Sequence, residues 1–110
     1  MYMPTPWGPS QHTKQIIDGI IDVSTAGHGG FGVKEDLAKK HIPHKALQKA
    51  IYMGHYYWFE EDCNWAIPFY YNRDWYDKLV ETLGKTKEWG ENNYNIVINT
   101  MQNWHKDLMS

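Results

Sequence analysis

Two β-rich runs, Gln15-Ile16-Ile17 and Ile20-Ile21-Asp22-Val23, flank the pair Asp18-Gly19. β-Branched residues fit a pleated surface and lose rotamer freedom in a helix. An Asp-Gly pair between such runs suits a type I′ turn, which needs φ > 0 at both central residues. Residues 12–25 are therefore expected to fold as a β-hairpin. Gly27, Gly29, Gly30 and Gly32 come directly after it, with His28 among them. So dense a cluster of glycines excludes a stable helix there and predicts a glycine-rich loop over 26–32.

The other segments are arranged around this centre. Residues 1–10 hold three prolines and a glycine around Trp7, which predicts an extended arm or turn pinned by the indole. The stretch from Val33 to Gly54 reads as helix broken near Ile42-Pro43, with Pro43 opening the second piece and Gly54 capping its end. From His55 to Asn72 the pattern fits either short strands or helix. The acids Glu60, Glu61 and Asp62 suit a helix N-terminus, and Pro68 limits any helix through the aromatics. A helix is expected from Arg73, with Asn72 as N-cap and Gly84 just past its end. Tyr94, Val97, Ile98, Met101, Trp104 and Leu108 recur at helical spacing, predicting an amphipathic helix over 91–108 with that stripe facing the core, and Trp104 and Trp75 are both expected to pack inward. The expected fold class is α+β: a small single domain over 1–110, its N-terminal hairpin packed by three or four helices and residues 33–110 mainly helical.

The charge balance is mild, with 11 basic against 13 acidic residues. Nucleic-acid binders draw most of their affinity from phosphate contacts and carry a basic excess, so nucleic acid is not the expected partner. A single cysteine, Cys63, forms no internal disulfide and fits a reducing compartment. No apolar run approaches the roughly 20 residues that span a bilayer. The start has neither the basic nor the apolar region of a secretion signal. A cytoplasmic, membrane-free protein is expected.

Three phrases occur in order: TPWGPSQ (Thr5–Gln11), GIIDVSTAGHGG (Gly19–Gly30) and YWFEEDCNWAI (Tyr57–Ile67). Together with Asn103-Trp104-His105-Lys106-Asp107, they resemble an uncharacterised domain family found in bacteriophages and other mobile elements. Asn64 departs from that pattern, which more usually has an acidic residue there. The resemblance implies a phage or mobile-element accessory protein in the host cytoplasm. It implies no reaction.

Several constellations could carry function. Gly27, Gly29 and Gly30, with the hydroxyls of Ser24 and Thr25, could expose backbone N–H groups to an anion; the alternative is a tight connection in which glycines supply positive φ and close approach. His28, between glycines, has no packing surface of its own and reads as exposed or functional. A thiolate–imidazole pair of Cys63 and His28, with Asp62 orienting, rests on residue types alone. Metal could be held by His28 with Glu60, Glu61 and Asp62, or by His41, His44 and His55, but neither set has a diagnostic spacing. Glu60, Glu61 and Asp62 beside Trp58 make an acidic, aromatic patch suited to a protein partner.

These features favour a binding protein, an inhibitor of a host defence protein, whose contact surface is Ser24, Thr25, Gly27, His28, Gly29, Gly30, Trp58, Glu60, Glu61 and Asp62. It needs no metal or other cofactor. A sponge for a nucleotide-like small molecule using the glycine loop is the alternative. A hydrolase using His28 and a carboxylate comes third, because no catalytic motif is complete.

Overall fold

A computed structural model describes residues 3–109. The expected hairpin is formed by β3 (His12–Ile17) and β4 (Ile20–Ser24). Its turn is not type I′, because Gly19 has φ +95° but Asp18 is not at positive φ. A register shift between Gln15 and Ile17 bends β3 just before the turn.

The sheet then extends further than expected. Ser24 pairs with Gly29 and Ile20 with Val33, so Gly29–Lys34 is strand β5 and only Thr25–His28 is turn. The region after Lys34 contains strand as well as helix. Helices α1 (Glu35–His41) and α2 (His44–Leu47) flank Pro43, and then β6 (Ile51–Met53) and β7 (Tyr56–Glu60) add a second hairpin. Gly54 ends no helix: it and His55 have φ of 61° and 68°, the type I′ geometry, and join β6 to β7. The result is a five-stranded antiparallel sheet in the order β3-β4-β5-β7-β6.

Both faces of this sheet are covered, which is why its central strands read as apolar runs rather than alternating patterns. Ile20, Val33 and Phe59 face helices α3 (Ala66–Tyr71), α4 (Arg73–Thr82) and α6 (Asn95–Trp104), packing with Ile67, Phe69, Leu79, Val97 and Met101. Ile21, Val23 and Trp58 point to the other face, where the N-terminal arm closes over them. That arm is a small hairpin, β1 (Pro4–Thr5) and β2 (Gly8–Pro9). The Thr5 hydroxyl donates to the Gly8 carbonyl (2.6 Å) and accepts from the Trp7 N–H (3.2 Å), so the turn aims Trp7 edge-on at Trp58, 6.0 Å between ring centres.

The helical half departs from expectation in detail. Pro68 lies inside α3, at its third residue, where its missing N–H would have had no intrahelical partner. Asn72 precedes α4, but its amide donates to the carbonyls of His41 and Pro68 instead of capping the helix. Gly84 lies just past that helix at φ +75°, as the sequence indicates. The C-terminal segment is divided into α5 (Lys87–Asn93), α6 and a single 3-10 turn (Lys106–Leu108). Trp75 packs inward at 7% exposure, whereas Trp104 does not: it is 65% exposed. α6 ends at Trp104, so the inward stripe passes through Val97 and Met101 and reaches Leu108 by way of the 3-10 turn.

Candidate functional site

β4, β5 and β7 meet at the same end of the sheet, and this gathers the residues expected to act together. Ser24 ends β4, Thr25–His28 is the turn, Gly29 and Gly30 start β5, and Gly30 pairs with Glu60 at the end of β7. The Glu61 N–H donates to the Gly29 carbonyl at 2.9 Å, which fixes the start of the turn carrying Asp62 and Cys63. Trp58 lies one pleat back. It is 1% exposed beneath Trp7, and its indole N–H donates to the Met53 carbonyl at 2.9 Å. Trp58, Gly29 and Gly30 therefore build the surface from below, while Ser24, Gly27, His28, Glu61 and Asp62 are exposed and Thr25 and Glu60 half-buried.

The glycines have a structural explanation that differs from residue to residue. None from Gly27 to Gly32 has positive φ. A Cβ on Gly30 would sit 2.3 Å from the Phe59 carbonyl oxygen and 2.8 Å from the Trp7 ring, and one on Gly32 would sit 2.7 Å from the Trp58 ring. These two are glycine because aromatic rings and a neighbouring strand press onto the sheet. Gly27 is different. A Cβ there would meet nothing within 4 Å.

The turn itself is tied shut. The Thr25 N–H donates to the His28 carbonyl (2.7 Å), and the Thr25 hydroxyl donates to the same oxygen and accepts from the His28 N–H. An anion nest alternates right- and left-handed residues, and no left-handed residue is present here. The loop also leads into β5 rather than into a helix, so no helix dipole supports an anion. The phosphate-cradle geometry is not made.

His28 is exposed as its setting between glycines suggests, and its Nδ1 lies 3.4 Å from a Glu60 carboxylate oxygen. That contact engages Nδ1 and leaves Nε2 outside the pair. Cys63 is half-buried in the turn that follows β7. Burial pushes its thiol above the ordinary range, the charges of Asp62 and Glu60 push the same way, and its sulfur contacts the Asn64 side-chain oxygen at 3.6 Å. Among the described residues, no three of His, Cys, Asp and Glu converge as metal ligands. His41 packs edge-on against Trp75, His44 contacts Gln48, and His55 pairs with Glu35, so that second set is dispersed.

One charged residue of this region escapes sequence reasoning. Asp22 sits in the middle of the apolar run Ile20–Val23, on the helix-facing side and opposite Lys14 in register. Burial raises its carboxyl above the usual range, His12 and Lys14 oppose the effect, and Glu61 adds to it. An acid inside an otherwise apolar strand was the available signal. The sheet end itself carries the carboxylates of Glu60, Glu61 and Asp62 beside His28, a negative rim, with Asp22 half-buried further along β4.

A groove of about 710 Å³ lies elsewhere, lined by Ile17, Trp75, Val80 and Gly90 and by charged side chains of both signs, Asp74 and Lys87 among them. It shares no residue with the sheet end.

A family model described as a domain of unknown function (DUF7007) matches residues 1–110. The chain belongs to this family. No curated protein and no solved structure matches it. The family spans the N-terminal arm, the sheet and the C-terminal helices alike, so the whole α+β unit is its domain. Among the described residues, no helix is long and apolar enough to cross a membrane.

Proposed function

We propose that this protein acts by binding another protein through the end of its sheet, as a phage or mobile-element product that blocks a host defence protein in the host cytoplasm. The observation that carries the binding reading is the convergence of His28, Glu60, Glu61 and Asp62 on adjacent strand ends whose turn is closed by its own hydrogen bonds. Such a rim is ordered before it meets a partner, so little entropy is lost on docking. Its negative charge steers encounter with a basic surface. An enzyme needs a nucleophile or a base poised over a pocket, and the cysteine is held as a thiol. A sponge for phosphate needs a nest, which the turn lacks. The mobile-element context rests on the resemblance of the TPWGPSQ, STAGHGG and EEDC phrases.

The test is restoration of phage growth. The full chain, expressed in a bacterium with an active defence system, is expected to restore plaque formation by a phage which that system restricts. A folded His28→Ala, Glu60→Gln, Glu61→Gln, Asp62→Asn variant is expected to lose the effect, since one charged hot spot is worth about 2 kcal/mol, roughly thirtyfold in affinity. Full restoration by the variant refutes the surface. Trp58 stays untouched in this test because it is core.

A further inference from the structure

Among the described residues, the side-chain nitrogen that is buried and has no hydrogen-bond partner is Nδ1 of His105. His105 comes directly after α6 and is 3% exposed, and its backbone N–H donates to the Met101 carbonyl. Its Nε2 lies 3.0 Å from the Cys63 carbonyl oxygen. A carbonyl only accepts, so Nε2 carries the proton, and the neutral ring leaves Nδ1 as a bare lone pair. This bond joins the end of α6 to the turn that bears Glu61 and Asp62.

Other contacts clasp the same corner. Lys49 Nζ meets the Asp107 carboxylate at 3.2 Å, Lys45 Nζ donates to the Asp107 carbonyl, and Tyr71 donates to the Leu108 carbonyl at 3.0 Å. The Asn64 side-chain amide donates to the Lys49 carbonyl at 3.0 Å, so the turn is held to the α2 end as well. Of these groups, the imidazole is the one whose charge changes near neutral pH.

A second proton on His105 would create a buried N–H with no acceptor and a buried positive charge. Three groups face the ring. Cys63, from the turn, offers only its carbonyl, which favours the protonated ring. Lys49, from the segment after α2, repels it. Asp107, from the 3-10 turn, attracts it, but this carboxylate is exposed and engaged by Lys49. Burial is the largest influence and holds the ring below the ordinary histidine range.

We infer that His105 is a positioning residue and a protonation-sensitive latch: neutral, the ring stays buried and holds the Glu61–Trp65 turn against the end of α6; protonated, it keeps its Nε2–H, but its charge and its unpartnered Nδ1–H draw the ring out into water and the turn loses this anchor. The inference rests on the proposed surface for what the turn contacts, and on the fold alone for how the turn is held. Its sign is fixed. The neutral ring is the folded form, so its contribution is complete above about pH 6.5, the unfolded value, and is lost as pH falls through the lower folded value.

The test is amide exchange in the full chain, expressed as protection factors so that the intrinsic pH dependence of exchange divides out. The reporter is the Trp65 N–H, which donates to the Glu60 carbonyl at 2.9 Å across the turn. Between about pH 7.5 and about pH 5.5, its protection is expected to fall on the order of tenfold while that of Val33 and Phe59 in the sheet holds. His105→Gln keeps an amide donor near Nε2 without a titrating ring, and it is expected to hold the protection at both pH values. An equal fall in His105→Gln overturns the inference, and so does unchanged Trp65 protection while the wild-type ring titrates. Should that variant not fold, the ring proton resonance of His105 decides in the wild type: a common midpoint with Trp65 protection supports the latch, and separate midpoints overturn it. No partner enters this experiment, so a failed plaque assay bears on the surface and not on the latch.

Discussion

Replacing Gly27 and Gly30 by alanine, one at a time, separates the two reasons a glycine can stand in this segment. In Gly30→Ala the new Cβ lies 2.3 Å from the Phe59 carbonyl oxygen, where ordinary contact begins at 3.4 Å. The strands must therefore part by about 1 Å or the pairing must break. Phe59 is fully buried and belongs to β7, hydrogen-bonded along β5, so it cannot yield as the tip of a flexible side chain could. Overpacking of this kind costs about 2–3 kcal/mol or more. In a domain of this size, 1 kcal/mol moves Tm by roughly 4 °C, so a loss of roughly 8–12 °C is expected. Gly27→Ala meets open space at an ordinary φ. Its main effect is on the unfolded chain, which alanine makes less flexible, and a gain of about 0.4–1 kcal/mol is expected. Thermal unfolding monitored by circular dichroism reads both variants. An unchanged Tm in Gly30→Ala, or a fall in Gly27→Ala as large as that in Gly30→Ala, refutes the reasoning. A folded Gly27→Ala protein that no longer restores plaques would place Gly27 in the contact.

Burial sets two further outcomes. Trp58→Ala removes a fully buried ring and its bond to Met53, so a loss of about 3–5 kcal/mol is expected in a denaturant titration, and a loss below about 1 kcal/mol would remove Trp58 from the core. Cys63, its thiol raised by burial and by Asp62, is expected to alkylate more slowly at neutral pH than the same residue in urea; equal rates would show that the fold gives it no protection.

Part of the fold was legible in the sequence. The Ile-rich runs around Asp18-Gly19 are a hairpin, Trp7 pins the arm, and Arg73 opens a helix with Gly84 just past its end. The same local logic misplaced the second hairpin. Tyr56–Glu60 is aromatic enough for either state, and the choice fell to its partner β5, whose glycines accept the Trp58 ring. His55 at positive φ completes a type I′ turn that no local rule assigns to Gly-His. Trp104 shows the opposite failure: its spacing marks it as inward, but the helix ends there, so its ring stays in solvent.

For the candidate site, the residue types and their clustering at His28 and at Glu60–Asp62 came from the sequence. Which of them reach solvent did not. Trp58 and Gly30 are buried because the N-terminal arm folds over the sheet, and Asp22 is half-buried because β4 points it toward the helices. Likewise, nothing local to His105 links it to Cys63, 42 residues away. The sequence by itself determined the features that neighbours along the chain dictate: turns, helix ends, the β-rich runs and the charge balance. The tertiary structure decided what depends on contacts between distant segments, namely strand order, which face is covered and which nitrogen is left without a partner, because burial and pairing belong to the packed chain and not to any stretch of it.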